Sequence, residues 1–380
     1  MRPRLLELLV CPECAGTLRL HADRREGDEV VEGRLACACG AEYPVVNAIP
    51  RVFRGAAREF EMAGDARSRA SATGTAGAGG DAVEQVKQRT RRSFGYQWTT
   101  FREMHPEFER NFLNYVHPID PGFFPGKLGL DAGCGFGRHI YYAARYGAEM
   151  VGVDYSAAIE SARANTRDLP NVHLVQADIY RLPFRPGTFD FAYCLGVLHH
   201  LPDPLAGYRA LARAVRPEGW LLVWLYSKTR RRLNAVLERV RRGTTRLPFG
   251  TLKALCFLAA AVDWAFFIWP YRVLRGTPLR GLAARAAFPR VKVYADYPFQ
   301  VCYADWFDRL SAPIRHYYDE ADLRGWASEV GLETIRITPT GAYGWRLQGQ
   351  LPPSAGRSAS PDQPAGGTSQ RAEQVHGGRP

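Results

Sequence analysis

Between Leu128 and His139 the chain reads L-G-L-D-A-G-C-G-F-G-R-H, an apolar run that ends at Asp131 and turns through Gly133, Gly135 and Gly137. Glycines at alternate positions let the backbone take positive φ and let a ligand approach closely, and the free N–H groups opening a following helix supply donors. Such a turn seats a nucleoside at the end of a first parallel strand, but G-x-G-x-G alone does not say which nucleotide ligand is meant. Two carboxylates narrow the choice. Asp154 closes a second apolar run, Glu149 to Val153, where it can accept from both hydroxyls of a ribose. Asp178 follows a third, Val172 to Gln176, where a carboxylate can accept from an adenine amino group. Past a fourth run, Phe189 to Tyr193, stand His199 and His200, and His316 returns much later in P-I-R-H-Y-Y. Each could move a proton, touch an acceptor or a lid, or simply make a structural hydrogen bond.

These residues need a scaffold, and the pattern around them supplies one. Apolar runs alternate with amphipathic stretches: Leu128–Asp131, Arg138–Tyr146, Glu149–Val153, Ala157–Asp168, Val172–Gln176, Phe189–Tyr193, Leu205–Val215 and Trp220–Tyr226. That alternation predicts a parallel sheet with helices on both faces and ligands at the carboxyl ends of its strands. Pro204 opens one helix with Asp203 as its cap, and Arg216-Pro217-Glu218-Gly219 reads as the tight turn into the fifth strand.

The motifs D-A-G-C-G-F-G, V-G-V-D-Y-S, Q-A-D-I-Y-R-L-P-F, F-D-F-A-Y-C and V-L-H-H-L-P-D-P, in this order, resemble the class I S-adenosylmethionine-dependent methyltransferases. The nearest likeness is to the branch with the ubiquinone and menaquinone C-methyltransferases, over about residues 126 to 227, with a weaker end from 305 to 348. The resemblance implies a Rossmann-like α/β fold with a seven-stranded, mostly parallel sheet, in which Leu332–Thr338 and Trp345–Gln348 are the last two strands. It implies that Asp131, Gly133, Cys134, Gly135 and Gly137 hold the methionine end of the cofactor, Asp154 and Tyr155 the ribose, and Asp178 and Ile179 the adenine, with Leu195 beside them. It says little about the acceptor, because one fold serves many substrates. The catalytic candidates are His200, His199 and His316.

Ahead of this core, Cys11-Pro12-Glu13-Cys14 and Cys37-Ala38-Cys39-Gly40 form two cysteine turns. Four thiolates so spaced suit a tetrahedral, structural Zn2+ in a domain too small to fold easily without one. Residues 1–55 resemble the small zinc-ribbon proteins that partner tRNA and translation-factor methyltransferases. The C-x-C pair departs from the commoner C-x-x-C, so a degenerate ribbon with weak or no metal stays open. Cys134, Cys194, Cys256 and Cys302 are scattered and read as reduced thiols. Leu5 to Val10 is too short for a secretory signal, and the expected location is the cytoplasm. Residues 56–82, with S-R-A-S-A-T-G-T-A-G-A-G-G, read as a flexible linker, 83–350 as the methyltransferase domain, and 351–380 as a disordered tail. The aromatics of Ser93 to Tyr115, Tyr96 and Trp98 among them, either pack the core or shape the acceptor pocket.

The net charge of +12 is concentrated: Lys228 to Lys292 holds fifteen Lys or Arg against Glu238 and Asp263. This stretch belongs to an insertion, 228–304, whose first part is basic and whose second, Ala254 to Tyr271, is apolar and rich in aromatics. Asp263 in mid-run and Pro270 near its end argue against a spanning helix. An interfacial helix pair forming a lid is expected instead, suited to an anionic membrane surface at the inner face. A cap buried on its own domain or in a homodimer is the alternative. The expected function is O- or C-methyl transfer to a small or lipid-linked acceptor. Two competitors stand beside it: an RNA methyltransferase gripping phosphates with the ribbon and basic insertion, and a non-catalytic cofactor-binding scaffold.

Overall fold

The computed structural model describes residues 1–60, 82–341 and 343–353. Most of the expected linker and nearly all of the expected tail, 61–81 and 354–380, lie outside these residues, while 56–60 are helical.

The parallel core is as the alternation predicts. Strands β5 (Leu128–Ala132), β6 (Glu149–Asp154), β7 (Val172–Ala177), β8 (Phe189–Leu195) and β9 (Val215–Tyr226) pair in parallel in the order β7-β6-β5-β8-β9. Strand β11 (Gly344–Gln350) runs antiparallel to β9 and to the edge strand β10 (Glu333–Thr340). Strand β9 begins earlier than expected: Val215 pairs with Phe189 of β8, and the anticipated turn is an irregularity before Trp220 resumes the pairing, with Glu218 at φ 61°. Asp203 caps the helix Pro204–Ala214, accepting from the Ala206 N–H at 3.0 Å.

The sheet has eleven strands rather than seven because the ribbon joins it. Its strands β1 (Leu18–Glu26), β2 (Glu29–Cys37), β3 (Glu42–Val46) and β4 (Ile49–Val52) form an antiparallel meander. Strand β4 then pairs in parallel with β7, Arg51 opposite Gln176 and Val52 opposite Ala177. The join is apolar as well as hydrogen-bonded. Leu5, Leu9, Leu35 and Tyr43 of the ribbon share one core with Val153, Val175 and Ile179 of the larger unit. Arg51, only 1% exposed, donates to Gln176 Oε1 at 2.9 Å and to the Val46 carbonyl at 2.9 Å, and pairs with Glu160.

The insertion forms a helical layer rather than a simple pair. Arg231–Thr244 is followed by a continuous helix, Phe249–Leu274, with a widened π turn at Trp264–Ile268, then by Arg280–Ala286, Pro289–Tyr294 and Phe299–Ser311. The 26 residues of Phe249–Leu274 are long and apolar enough to cross a membrane. In the fold they pack along Phe299–Ser311, burying Leu252, Cys256, Ala260 and Ile268. The mid-helix Asp263 is held there by Arg290 at 2.9 Å and by the Trp306 indole N–H at 3.0 Å.

Candidate functional site

One cavity of about 650 Å³ opens at the carboxyl ends of β5 to β9, walled by the helix Ala82–Thr100 and by the insertion. Its floor is the glycine turn. Gly133 has φ 82°, and a Cβ there would stand 2.4 Å from Val197 Cγ2. Gly137 has φ 89°, with Ala162 Cα 3.1 Å from where its Cβ would be. Both positions therefore exclude a side chain, and of the three glycines Gly133 and Gly135 line the cavity.

Two of the three acidic positions, Asp154 and Asp178, line this cavity, whereas Asp131, two residues before Gly133, is buried and does not. Asp154 accepts at one oxygen from the Gly135 N–H (3.0 Å) and at the other from the Ser156 N–H (2.8 Å) and hydroxyl (2.6 Å). Burial pushes its carboxyl up from the ordinary range despite these donors. Asp178 accepts from the Tyr180 N–H at 3.1 Å and pairs with Lys87. Asp131 is 1% exposed, and its Oδ2 has no partner among the described residues. Burial, reinforced by the nearby Asp154 charge, pushes it up to about 8. Tyr155, Ile179, Leu195 and Cys134 line the same space.

The histidines separate. His200 lines the cavity; its Nδ1 lies 2.7 Å from the Ile314 carbonyl, which can only accept, so Nδ1 carries the proton. Burial pushes its pKa down to about 3, keeping the imidazole neutral. His199 is fully buried against Tyr226, ring centroids 4.0 Å apart, away from the cavity lining, and neither ring nitrogen has a partner among the described residues. His316 turns its Nε2 to the Leu201 carbonyl at 3.1 Å and does not line the cavity either. The two are joined through the main chain, the backbone N–H of His316 donating to the His199 carbonyl at 2.9 Å.

Several lining residues escaped the sequence. Lys87 and Arg91 reach the nucleoside end one helical turn apart; Arg91 donates to the Tyr155 carbonyl at 2.8 Å and pairs with Glu59. Asp305, Asp308 and Arg309 share one face of Phe299–Ser311, and Arg315 pairs with Asp308, to which the Tyr226 hydroxyl also donates at 3.1 Å. Their i, i+3, i+4 spacing was a usable signal of a charged face, but nothing local told that the face turns to the cavity. Trp98 lines the cavity and stacks on Phe136 at 5.0 Å, whereas Tyr96 stacks on Phe249 and packs the insertion against the core.

The ribbon cysteines form a second centre. The Sγ atoms of Cys11, Cys14, Cys37 and Cys39 lie within 4.8 Å of one another. A tetrahedron of Zn–S bonds of about 2.3 Å has edges of about 3.8 Å, and Cys11–Cys39 at 3.7 Å and Cys14–Cys37 at 3.4 Å already approach this. The one-residue spacer therefore presents both sulfurs, and the donor set fits Zn2+. The larger cavity fits S-adenosylmethionine by the chemistry of its lining groups, since the carboxylates of Asp154 and Asp178 and the backbone of Gly133 and Gly135 line it together.

Residues 130–223 match the family described as "Methyltransferase domain", and residues 2–47 the family described as "Trm112p-like protein". The ubiquinone biosynthesis O-methyltransferase of Albidiferax ferrireducens is 32% identical over 127 residues, 32% of this chain and 48% of that protein. Its namesake from Thiobacillus denitrificans is 29% identical over 206 residues, 52% of this chain and 84% of that protein. The chain spans about half or less of the length of most curated relatives it matches. Among solved structures, the magnesium protoporphyrin IX methyltransferase of Synechocystis PCC 6803 with bound SAM aligns over 73% of this chain and 100% of its own, at 16% identity and a TM-score of 0.41.

Proposed function

We propose that this chain, a class I S-adenosylmethionine-dependent methyltransferase fused to a Trm112p-like zinc ribbon, transfers a methyl group to an oxygen or carbon of a small or lipid-linked acceptor. The observation that carries the reading is the convergence of Asp154, Asp178 and the Gly133–Gly135 turn on a single cavity that the insertion also walls, with the buried Asp131 two residues before Gly133. When bound, the cofactor supplies an electrophilic methyl group, so the protein's task is chiefly alignment and, for a hydroxyl or acidic carbon, acceptance of a proton. Asp154 would keep lone pairs for ribose hydroxyls and Asp178 would share the adenine end with Lys87, while Asp131, buried beneath the glycine turn, would act on the methionine ammonium from behind the cavity lining. His200, neutral and with Nδ1 committed to Ile314, offers Nε2 as a hydrogen-bond acceptor that orients an acceptor hydroxyl. The insertion walls the far side of the cavity through Leu237, Tyr297 and Val301.

A lipid-linked acceptor is favoured by the surface of that insertion. Of the eighteen large apolar residues exposed on the described chain, sixteen lie between Leu233 and Val293, with Phe266 71%, Leu282 68% and Phe288 65% exposed. Exposed Arg272, Arg280, Arg285 and Lys292 stand among them without a carboxylate partner among the described residues. Apolar and cationic groups mixed on one face match an anionic bilayer surface, to which the enzyme would attach reversibly from the cytoplasmic side. The test incubates the protein with labelled S-adenosylmethionine and separate lipid, small-molecule and RNA fractions, followed by mass spectrometry. Label in the lipid or small-molecule fraction is expected. Label confined to RNA would replace this reading with the RNA one, and no label in any fraction would leave a binding scaffold.

A further inference from the structure

We infer that the acceptor carries an oxyanion, a carboxylate or a phosphate, seated between Arg138 and Arg346. The inference rests on the methyl-transfer reading and names the substrate class of the same cavity. Eight Lys or Arg side chains line the cavity against five Asp or Glu. Most of the cations are already matched: Lys87 to Asp178, Arg290 and Arg309 to Asp305, Arg315 to Asp308, and Arg91 to Glu59 from outside the cavity. Arg138, Arg230 and Arg346 have no carboxylate partner among the described residues. A cofactor bearing a sulfonium adds to this positive excess, which is screened less inside a cavity than on an open surface.

Arg346 is the sharpest case. It is 8% exposed, donates only to neutral carbonyls, Asn114 at 2.8 Å and Pro339 at 2.9 Å, and its Nε has no partner among the described residues. A buried cation without a counter-ion is costly, so something outside the chain balances it in the working state. Arg138 opens the helix Arg138–Arg145 and lies 5.5 Å from the ring centroids of Trp98 and Phe108. Aromatic faces orient a guanidinium but bring no net charge. The helix Glu107–Val116 links the two arginines, with Phe108 against Arg138, Asn114 against Arg346, and Asn111 and Tyr115 lining the cavity along the same wall. An oxyanion there would meet two guanidinium groups and the polar ends of Asn111 and Tyr115, which is the usual environment of a bound carboxylate or phosphate.

The same positive charge could serve the carboxylate of the cofactor itself, and the experiment separates the two sources. Phenyl phosphate, benzoate and uncharged phenol are titrated by calorimetry into the full-length protein, with and without saturating S-adenosylhomocysteine. With the cofactor product bound, both anions should bind roughly tenfold or more tighter than phenol, the scale of one charge-assisted pair. Arg138→Met should lose most of that preference while holding S-adenosylhomocysteine as before, which also reports that the variant is folded, and Arg138→Lys should keep part of it. Equal binding of phenol and the anions overturns the proposal. So does an Arg138→Met protein that keeps the anion preference but loses S-adenosylhomocysteine, since the guanidinium would then belong to the cofactor. If the unaltered protein fails to bind S-adenosylhomocysteine at all, the methyl-transfer reading falls, and the titrations without it still decide whether the oxyanion site exists.

Discussion

Replacing Arg51 by Met should destabilise the whole described fold rather than the ribbon alone. The guanidinium is 1% exposed, reaching the larger unit through Gln176 Oε1 and its own ribbon through the Val46 carbonyl, both at 2.9 Å. Hydrogen bonds from a charged donor contribute about 1.5–3 kcal/mol each, and Met recovers part of this by burying apolar surface without desolvating a charge. Glu160, 38% exposed, can return to water when its partner is gone, so the ion pair adds little. The net expectation is a loss of about 2–4 kcal/mol, or roughly 1 M in urea midpoint for a protein of this size. Two probes separate the parts. All eight tryptophans lie at or beyond Trp98, so their fluorescence reports only the larger unit, while release of zinc to a chromogenic chelator reports the ribbon. Both curves should coincide in the unaltered protein and shift together in Arg51→Met, because Leu9, Leu35 and Tyr43 share one core with Val153 and Val175. Zinc release well before the fluorescence change, with only the zinc curve moved by the substitution, would refute the idea of a continuous core.

Asp131, whose folded pKa of about 8 lies above that of an exposed carboxyl, favours the cofactor-free fold at low pH and loses that contribution as pH rises from about 4 to about 8. Affinity for S-adenosylhomocysteine should rise through the upper part of this window, at most tenfold per pH unit, and Asp131→Asn should flatten the rise; a flat profile in the unaltered protein overturns the assignment. About one zinc per chain is expected, and Cys37→Ser should lower both zinc content and the urea midpoint of the fluorescence transition, whereas unchanged values of both would mean the cluster is misread. His200→Ala should slow turnover roughly 10²-fold with cofactor affinity unchanged, and full activity would show that the cleft alone aligns the acceptor. Vesicles of mixed anionic and neutral lipid should sediment the protein, salt should weaken this, and Phe266→Ser with Leu282→Ser should weaken it by about 10²-fold or more; equal failure with anionic and neutral vesicles would sink the membrane reading, and a concentration-dependent dimer would assign the face to a second copy.

The nucleoside floor and the zinc cluster were legible in the chain itself because each is built from short-range constraints. Gly133, Gly135 and Gly137 act within one strand-to-helix turn, and their positive φ values are properties of the local backbone. The cysteines work in pairs with two and one residues between their members, and apolar periodicity marked β5 to β9 because it records which faces are buried. The histidines show where local reading ends. Neighbours in sequence, His199 and His200 leave the same short turn, yet one ring is sealed against Tyr226 and the other faces the cavity, since a one-residue step along that turn points a side chain in another direction. The joining of the ribbon to the sheet depends on Arg51 meeting Gln176, 125 residues away, and the seat of Arg346 on Asn114, 232 residues away. Pattern along a chain carries the energetics of neighbours; which distant edge is free to pair, and which buried charge is left without a counter-ion, is decided only when the whole set of elements has packed.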